Sequence, residues 1–66
     1  MKIILNGKEV ELKKSLSVQE LLDKHKLNPE QIVVEINLNI IEKDKYDKTF
    51  LVDNDKVELI SFMGGG

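Results

Sequence analysis

Asn6-Gly7, set between two runs of alternating apolar and polar residues, constrains the fold of this chain more than any other pair in it. Asn-Gly is the dipeptide best able to supply two successive positive φ angles, and the type I′ turn so formed joins antiparallel strands in a defined register. Residues 2–12 therefore read as a hairpin in which Leu5 faces Lys8, Ile3 faces Val10 and Met1 faces Leu12. Met1, Ile3, Leu5, Val10 and Leu12 then share one face, while Ile4 points the other way beside Glu9 and Glu11.

The next segment changes period. Ser17 can cap a helix, Glu20 at the third helical position can return the hydrogen bond, and Leu16 can staple onto Leu21. Val18, Leu21 and Leu22 make one apolar stripe, with His25 at its margin and Asp23, Lys24 and Lys26 toward water. The helix is expected to end near Leu27, because Asn28 tolerates the left-handed region and Pro29 cannot continue the ladder. Residues 32–37 are β-branched and alternate, which predicts a strand with Val34 and Ile36 inward and Val33 and Glu35 outward. A turn and a short edge strand over 38–41 follow, then a charged connector over 42–48 with room for one helical turn. Tyr46, Phe50 and Leu51 are expected to cover the open end of the core. Asp53-Asn54-Asp55 reads as a turn and residues 57–62 as the last strand.

The order β-β-α-β-β-β suits a mixed sheet with the first and last strands parallel and adjacent at its centre and one helix across one face. That is an α+β, ubiquitin-like β-grasp roll. Residues 1–63 form the domain in this reading, and residues 64–66 a flexible C-terminal glycine tail.

Composition narrows the function. In 66 residues there is one His and no Cys, so neither a disulfide framework nor a four-ligand zinc site can brace the fold. A domain of this size hides only about 60% of its unfolded surface, and its core supplies roughly 3–5 kcal/mol. A deep enclosed active site is not expected. Twelve acidic residues against ten lysines, with no Arg, leave a net charge of −2, which argues against a nucleic-acid partner. No apolar run reaches the about eighteen residues of a membrane span, and Met1 to Asn6 lacks a signal peptide's apolar stretch, so no membrane association and a cytoplasmic location are expected.

Gly64-Gly65-Gly66 follows the last strand directly, and no demand of a folded core explains it, since glycines bury nothing and lose the most entropy on ordering. Without Cβ atoms such a segment can thread a slot too narrow for side chains and present the carboxylate of Gly66 to another protein. That carboxylate can attack the α-phosphorus of ATP to become an acyl-adenylate, open to a thiol or amine. No phosphate loop, Arg clamp or magnesium set is present to activate it here, so the chain reads as substrate rather than enzyme. The competing reading is a frayed end without function. In the last strand, Val57 and Leu59 facing the helix would turn Glu58, Ile60 and Phe62 onto the uncovered face. With Ile4 and Met63 these form a candidate docking patch with an acidic rim; otherwise the connector covers them. His25, with no nucleophile set against it, is assigned no role.

The chain resembles the ThiS family, the sulfur carriers of thiamine biosynthesis. The likeness rests on Leu5-Asn6-Gly7-Lys8, Val18-Gln19-Glu20-Leu21-Leu22, Val33-Val34-Glu35-Ile36-Asn37 and Asp53-Asn54-Asp55-Lys56-Val57-Glu58, followed by the Gly-Gly end. Asn54 stands where the family often has Gly, and Gly64 adds a third glycine to the usual pair. The resemblance implies that Gly66 is adenylated by a ThiF-like enzyme using ATP and Mg. It is then converted to a thiocarboxylate with sulfur from a cysteine-desulfurase-type donor and used by a ThiG-like thiazole synthase. It implies no cofactor bound by the chain itself. A MoaD-like carrier subunit of molybdopterin synthase and a non-catalytic ubiquitin-like modifier are the alternatives; the former is generally longer.

Overall fold

Five strands and one α-helix carry these expectations into three dimensions in a computed structural model that describes residues 1–62. β1 (Lys2–Leu5) and β2 (Lys8–Glu11) pair antiparallel with Ile3 opposite Val10 and Leu5 opposite Lys8. Met1 and Leu12 extend the ladder through both main-chain hydrogen bonds, at 2.7 and 3.0 Å. The turn has Asn6 at φ 48° and Gly7 at φ 83°, as type I′ demands.

Helix α1 (Val18–Lys24) begins with the expected capping box: Ser17 Oγ accepts from Glu20 N–H and Glu20 Oε1 accepts from Ser17 N–H. The two other unpaired N–H groups of its first turn go to the connector, Val18 to Thr49 O and Gln19 to Tyr46 O, both at 2.9 Å. Val18, Leu21 and Leu22 are fully buried against the sheet. The C-terminus departs from expectation, since the helix stops at Lys24 rather than near Leu27. Lys26 takes φ 58°, its N–H bonds Asp23 O, and Leu27 N–H bonds Leu22 O. This pattern is a Schellman turn, built on a lysine in the position where glycine is usual. Asn28 is extended instead of left-handed, and its Oδ1 accepts from Glu30 N–H to cap a 3-10 turn over Pro29–Gln31. His25 is exposed beyond the stripe.

β3 (Ile32–Ile36) alternates as expected, with Ile32, Val34 and Ile36 buried, and β4 (Asn39–Ile41) pairs with it at the sheet edge. Asn37 and Leu38 between them both have positive φ, a second primed turn formed without glycine. β5 (Lys56–Ser61) is parallel to β1 and antiparallel to β3, giving the order β2-β1-β5-β3-β4. The first and last strands thus lie side by side at the centre. The connector contains one 3-10 turn at Lys43–Lys45 and delivers Tyr46 and Leu51 to the core. Phe50 corrects the expectation: with Leu51 turned inward, its neighbour is 57% exposed.

Two asparagines hold β5 in place. Asn6 N–H bonds Val57 O at 2.9 Å, and beyond the end of β1 its side chain takes over. Oδ1 accepts from Leu59 N–H at 2.8 Å and Nδ2 donates to Leu59 O at 3.3 Å. Asn37 does the same at the other end, with its N–H on Lys56 O and its Oδ1 accepting from Lys56 N–H. Asn37 Nδ2 also donates to the buried Asp55, whose second oxygen accepts from Val52 N–H. The turn ahead of β5 is bound to β1 as well, through Lys2 N–H on Asp53 Oδ1 and Asn54 N–H on Lys2 O.

Asn6→Gly keeps the left-handed turn but strands the Leu59 main chain, so denaturant melts should show a loss of about 0.5–1.5 kcal/mol with the fold retained. Tyr46 donates its hydroxyl to Ile32 O at 2.9 Å, and burial pushes its phenol above the ordinary value of 10.0, outweighing the Lys43 charge. The folded state therefore holds this proton longer than the unfolded chain. Its contribution is complete below pH 10 and is lost as pH rises through the raised value. Stability curves in that window should fall more steeply for the wild type than for Tyr46→Phe.

Candidate functional site

β5 turns its odd-numbered side chains toward α1 and its even-numbered ones toward the uncovered sheet face. Val57 is buried and Leu59 half-buried, whereas Ile60 is 44% and Phe62 57% exposed. The antiparallel register with β3 sets Val33 beside Ile60 and Glu35 beside Glu58, and Ile40 of β4 lies beside Glu35. The apolar surface is thus Val33, Ile60 and Phe62, with Ile40 across the two carboxylates. Ile4 lies on the same face but is flanked by Glu9 and Lys56. Lys56 is about 13 Å along β5 from Ile60. Of the residues expected to form the patch, Glu58, Ile60 and Phe62 are brought together, Ile4 is set apart, and Met63, Gly64, Gly65 and Gly66 lie outside the described residues.

Val33 and Ile40 are additions that alternation alone could not supply. The outward turn of Val33 is readable from its strand, but its place beside Ile60 requires knowing that β3 flanks β5. Among the described residues nothing covers this face, because Tyr46 packs into the core on the other side.

Charge on the face is arranged at a cost. Glu35 and Glu58 stand directly opposite each other on neighbouring strands, an arrangement that destabilises a sheet by like-charge repulsion. A cationic group brought against them relieves the repulsion, which makes the pair a natural contact for a basic side chain surrounded by apolar surface.

No catalytic constellation accompanies the patch. Among the described residues no group of three His, Cys, Asp or Glu side chains could hold a metal ion, and no buried side-chain polar atom lacks a hydrogen-bond partner. No helix among them is long and apolar enough to cross a membrane.

Comparison with known proteins agrees with this architecture. The family model described as the ThiS family matches residues 3–66. The sulfur carrier protein ThiS of Bacillus subtilis (strain 168) is 41% identical over 63 residues, covering 94% of this chain and 96% of that protein. A thiazole synthase of Paramagnetospirillum magneticum is 36% identical over 66 residues, and there the chain spans only 20% of the relative's length. The crystal structure of a thiamine biosynthesis protein (ThiS) from Geobacter metallireducens superposes with a TM-score of 0.86 at 39% identity, over the whole of both chains. Matched across its length by the family model and by a relative of its own size, the chain belongs to the ThiS family.

Proposed function

We propose that this chain is a sulfur carrier of thiamine biosynthesis, acting as a substrate protein rather than an enzyme, with the main-chain carboxylate of Gly66 as its attachment point. The observation that carries the reading is a run of three glycines placed in the sequence just after the central strand, which is paired on both sides. Gly64 and Gly65 serve as the thread, because a segment without side chains can enter a narrow slot in extended form. The relative from Bacillus subtilis bears the name of such a carrier, and the thiazole synthase from Paramagnetospirillum magneticum contains a similar segment within one polypeptide.

The cycle begins when a Gly66 carboxylate oxygen attacks the α-phosphorus of ATP in a ThiF-like enzyme. The bond to pyrophosphate breaks and an acyl-adenylate forms. Magnesium and ATP belong to that enzyme. The terminal sulfur of a persulfide on a cysteine-desulfurase-type donor displaces AMP to give an acyl disulfide. A thiol cleaves its S–S bond by disulfide exchange, releasing the thiocarboxylate that a ThiG-like thiazole synthase consumes. A cytoplasmic location, where ATP is abundant, suits this cycle. The activating enzyme docks on the open face, where Val33, Ile60 and Phe62 provide apolar contact and Glu35 and Glu58 receive a basic side chain.

Incubation with activating enzyme, ATP, Mg and sulfur donor should replace one carboxylate oxygen of Gly66 by sulfur, as read by intact mass. Attachment to lysines of other proteins would instead identify a modifier. Deletion of Gly66, or Gly65→Trp, should abolish adenylation with no change in melting temperature. Ile60→Glu and Phe62→Glu should each weaken binding to the activating enzyme on the order of tenfold while the chain stays folded. Glu58→Gln separates docking from folding: it should raise stability by about 0.2–1 kcal/mol through relief of the Glu35 repulsion, and yet weaken that binding.

A further inference from the structure

The early end of α1 has left part of the inner sheet face uncovered. A helix stopping at Lys24 shields less of the sheet than one reaching Leu27, and at that place a groove of about 380 Å³ opens. Its lining is chiefly apolar, from Leu5, Leu27, Leu59 and Ile32. The first three are only half-buried although they pack on the core, so apolar surface remains available there. His25 contributes from the helix end and Ser61 from the last residue of β5.

The same place offers main-chain groups. The C=O of Val57 and both main-chain groups of Leu59 point toward β1, where Asn6 N–H donates to Val57 O and the Asn6 side-chain amide pairs with Leu59. Ser61 is next in that series. Phe62 N–H bonds Gln31 O on the β3 side, so the alternation of the antiparallel ladder turns the N–H and C=O of Ser61 away from β3. They face the side on which β1 has already turned back at Asn6-Gly7. An apolar groove beside outward-facing strand groups meets both requirements of strand addition, main-chain hydrogen bonds for affinity and a pocket for a side chain.

We propose that an extended segment of the thiazole synthase pairs with β5 at Ser61 and seats a Leu- or Met-sized side chain in this groove, on the opposite side of the sheet from the open face. The inference rests on the carrier reading. An enzyme that draws Gly66 into its active site must approach along the chain that follows Ser61, so the groove is continuous with the contact that the carrier function requires. The thiazole synthase is the partner favoured, because a relative of that name holds a segment similar to this chain in the same polypeptide. Among the described residues the groove's lining contains no Lys or Arg, which suits a peptide better than a phosphorylated ligand.

The test is titration of the full chain with purified thiazole synthase, followed by calorimetry and by the amide resonances of the carrier. Ser61→Pro removes the donor from the outward edge at a strand end that tolerates proline, and Ser61→Trp fills the groove. Each should weaken binding at least about fivefold. The wild-type resonances of Leu5, Leu27, Leu59 and Ser61 should shift on complex formation. Wild-type affinity in Ser61→Trp, or shifts confined to Val33, Ile60 and neighbouring outer residues, would overturn the proposal. So would concentration-dependent shifts at the groove without synthase, which would assign it to a second copy of the chain. Thiocarboxylate formation is scored separately by mass: its failure in the wild type sinks the carrier reading, whereas the affinities of the variants decide the groove in either case.

Discussion

Everything in this molecule hangs on the pairing of β1 with β5, two strands from opposite ends of the chain laid parallel at the centre of the sheet. Such a pair closes a loop of nearly the whole sequence and is costly in entropy until the intervening elements pack. The chain strengthens it with side chains as well as backbone. The Asn6 amide continues the ladder past the end of β1, Asn37 grips the start of β5, and Asp55 ties that grip to the preceding turn. In a domain with no disulfide to brace it, these side-chain hydrogen bonds extend the pairing of the central strand as far as Leu59.

That anchoring has a functional consequence. A carrier needs a stable body and an extremity that another protein can take hold of, and the two must not compromise each other. Here the body includes a strand held from both sides as far as Leu59, and in the sequence three glycines follow Phe62 and Met63. The same strand displays different chemistry on its two faces. Outward it offers apolar surface around a pair of facing carboxylates; inward it borders an apolar groove beside the end of a short helix. A strand with two distinct faces can address successive enzymes from one scaffold.

The repulsion between Glu35 and Glu58 and the left-handed backbone at Lys26 and Leu38 are local violations of what would stabilise the isolated domain. The carboxylates lie on the proposed docking face, and Lys26 belongs to the turn that opens the groove. Leu38, 90% exposed at the tip of the β3–β4 turn, has no counterpart of that kind; nothing in the structure explains a leucine there.

The hairpin register, the helix N-terminus and the inward faces of the strands were legible in the sequence, because each depends on residues within a few positions of one another. Asn6-Gly7 permits the primed turn, Ser17 and Glu20 complete a capping box, and alternation assigns the faces of β3 and β5. Tertiary structure decided the rest. Lys26 carries no intrinsic signal for a left-handed turn, so the helix end could not be read from it. The second role of Asn6 depends on Leu59, 53 residues away. Likewise, that Val33 joins Ile60, that Ile4 stands apart, and that Leu5, Leu27 and Leu59 line one groove are consequences of strand order and helix length. Those are settled by the packing of the whole chain, where a residue's neighbours are chosen by topology and not by its position in the sequence.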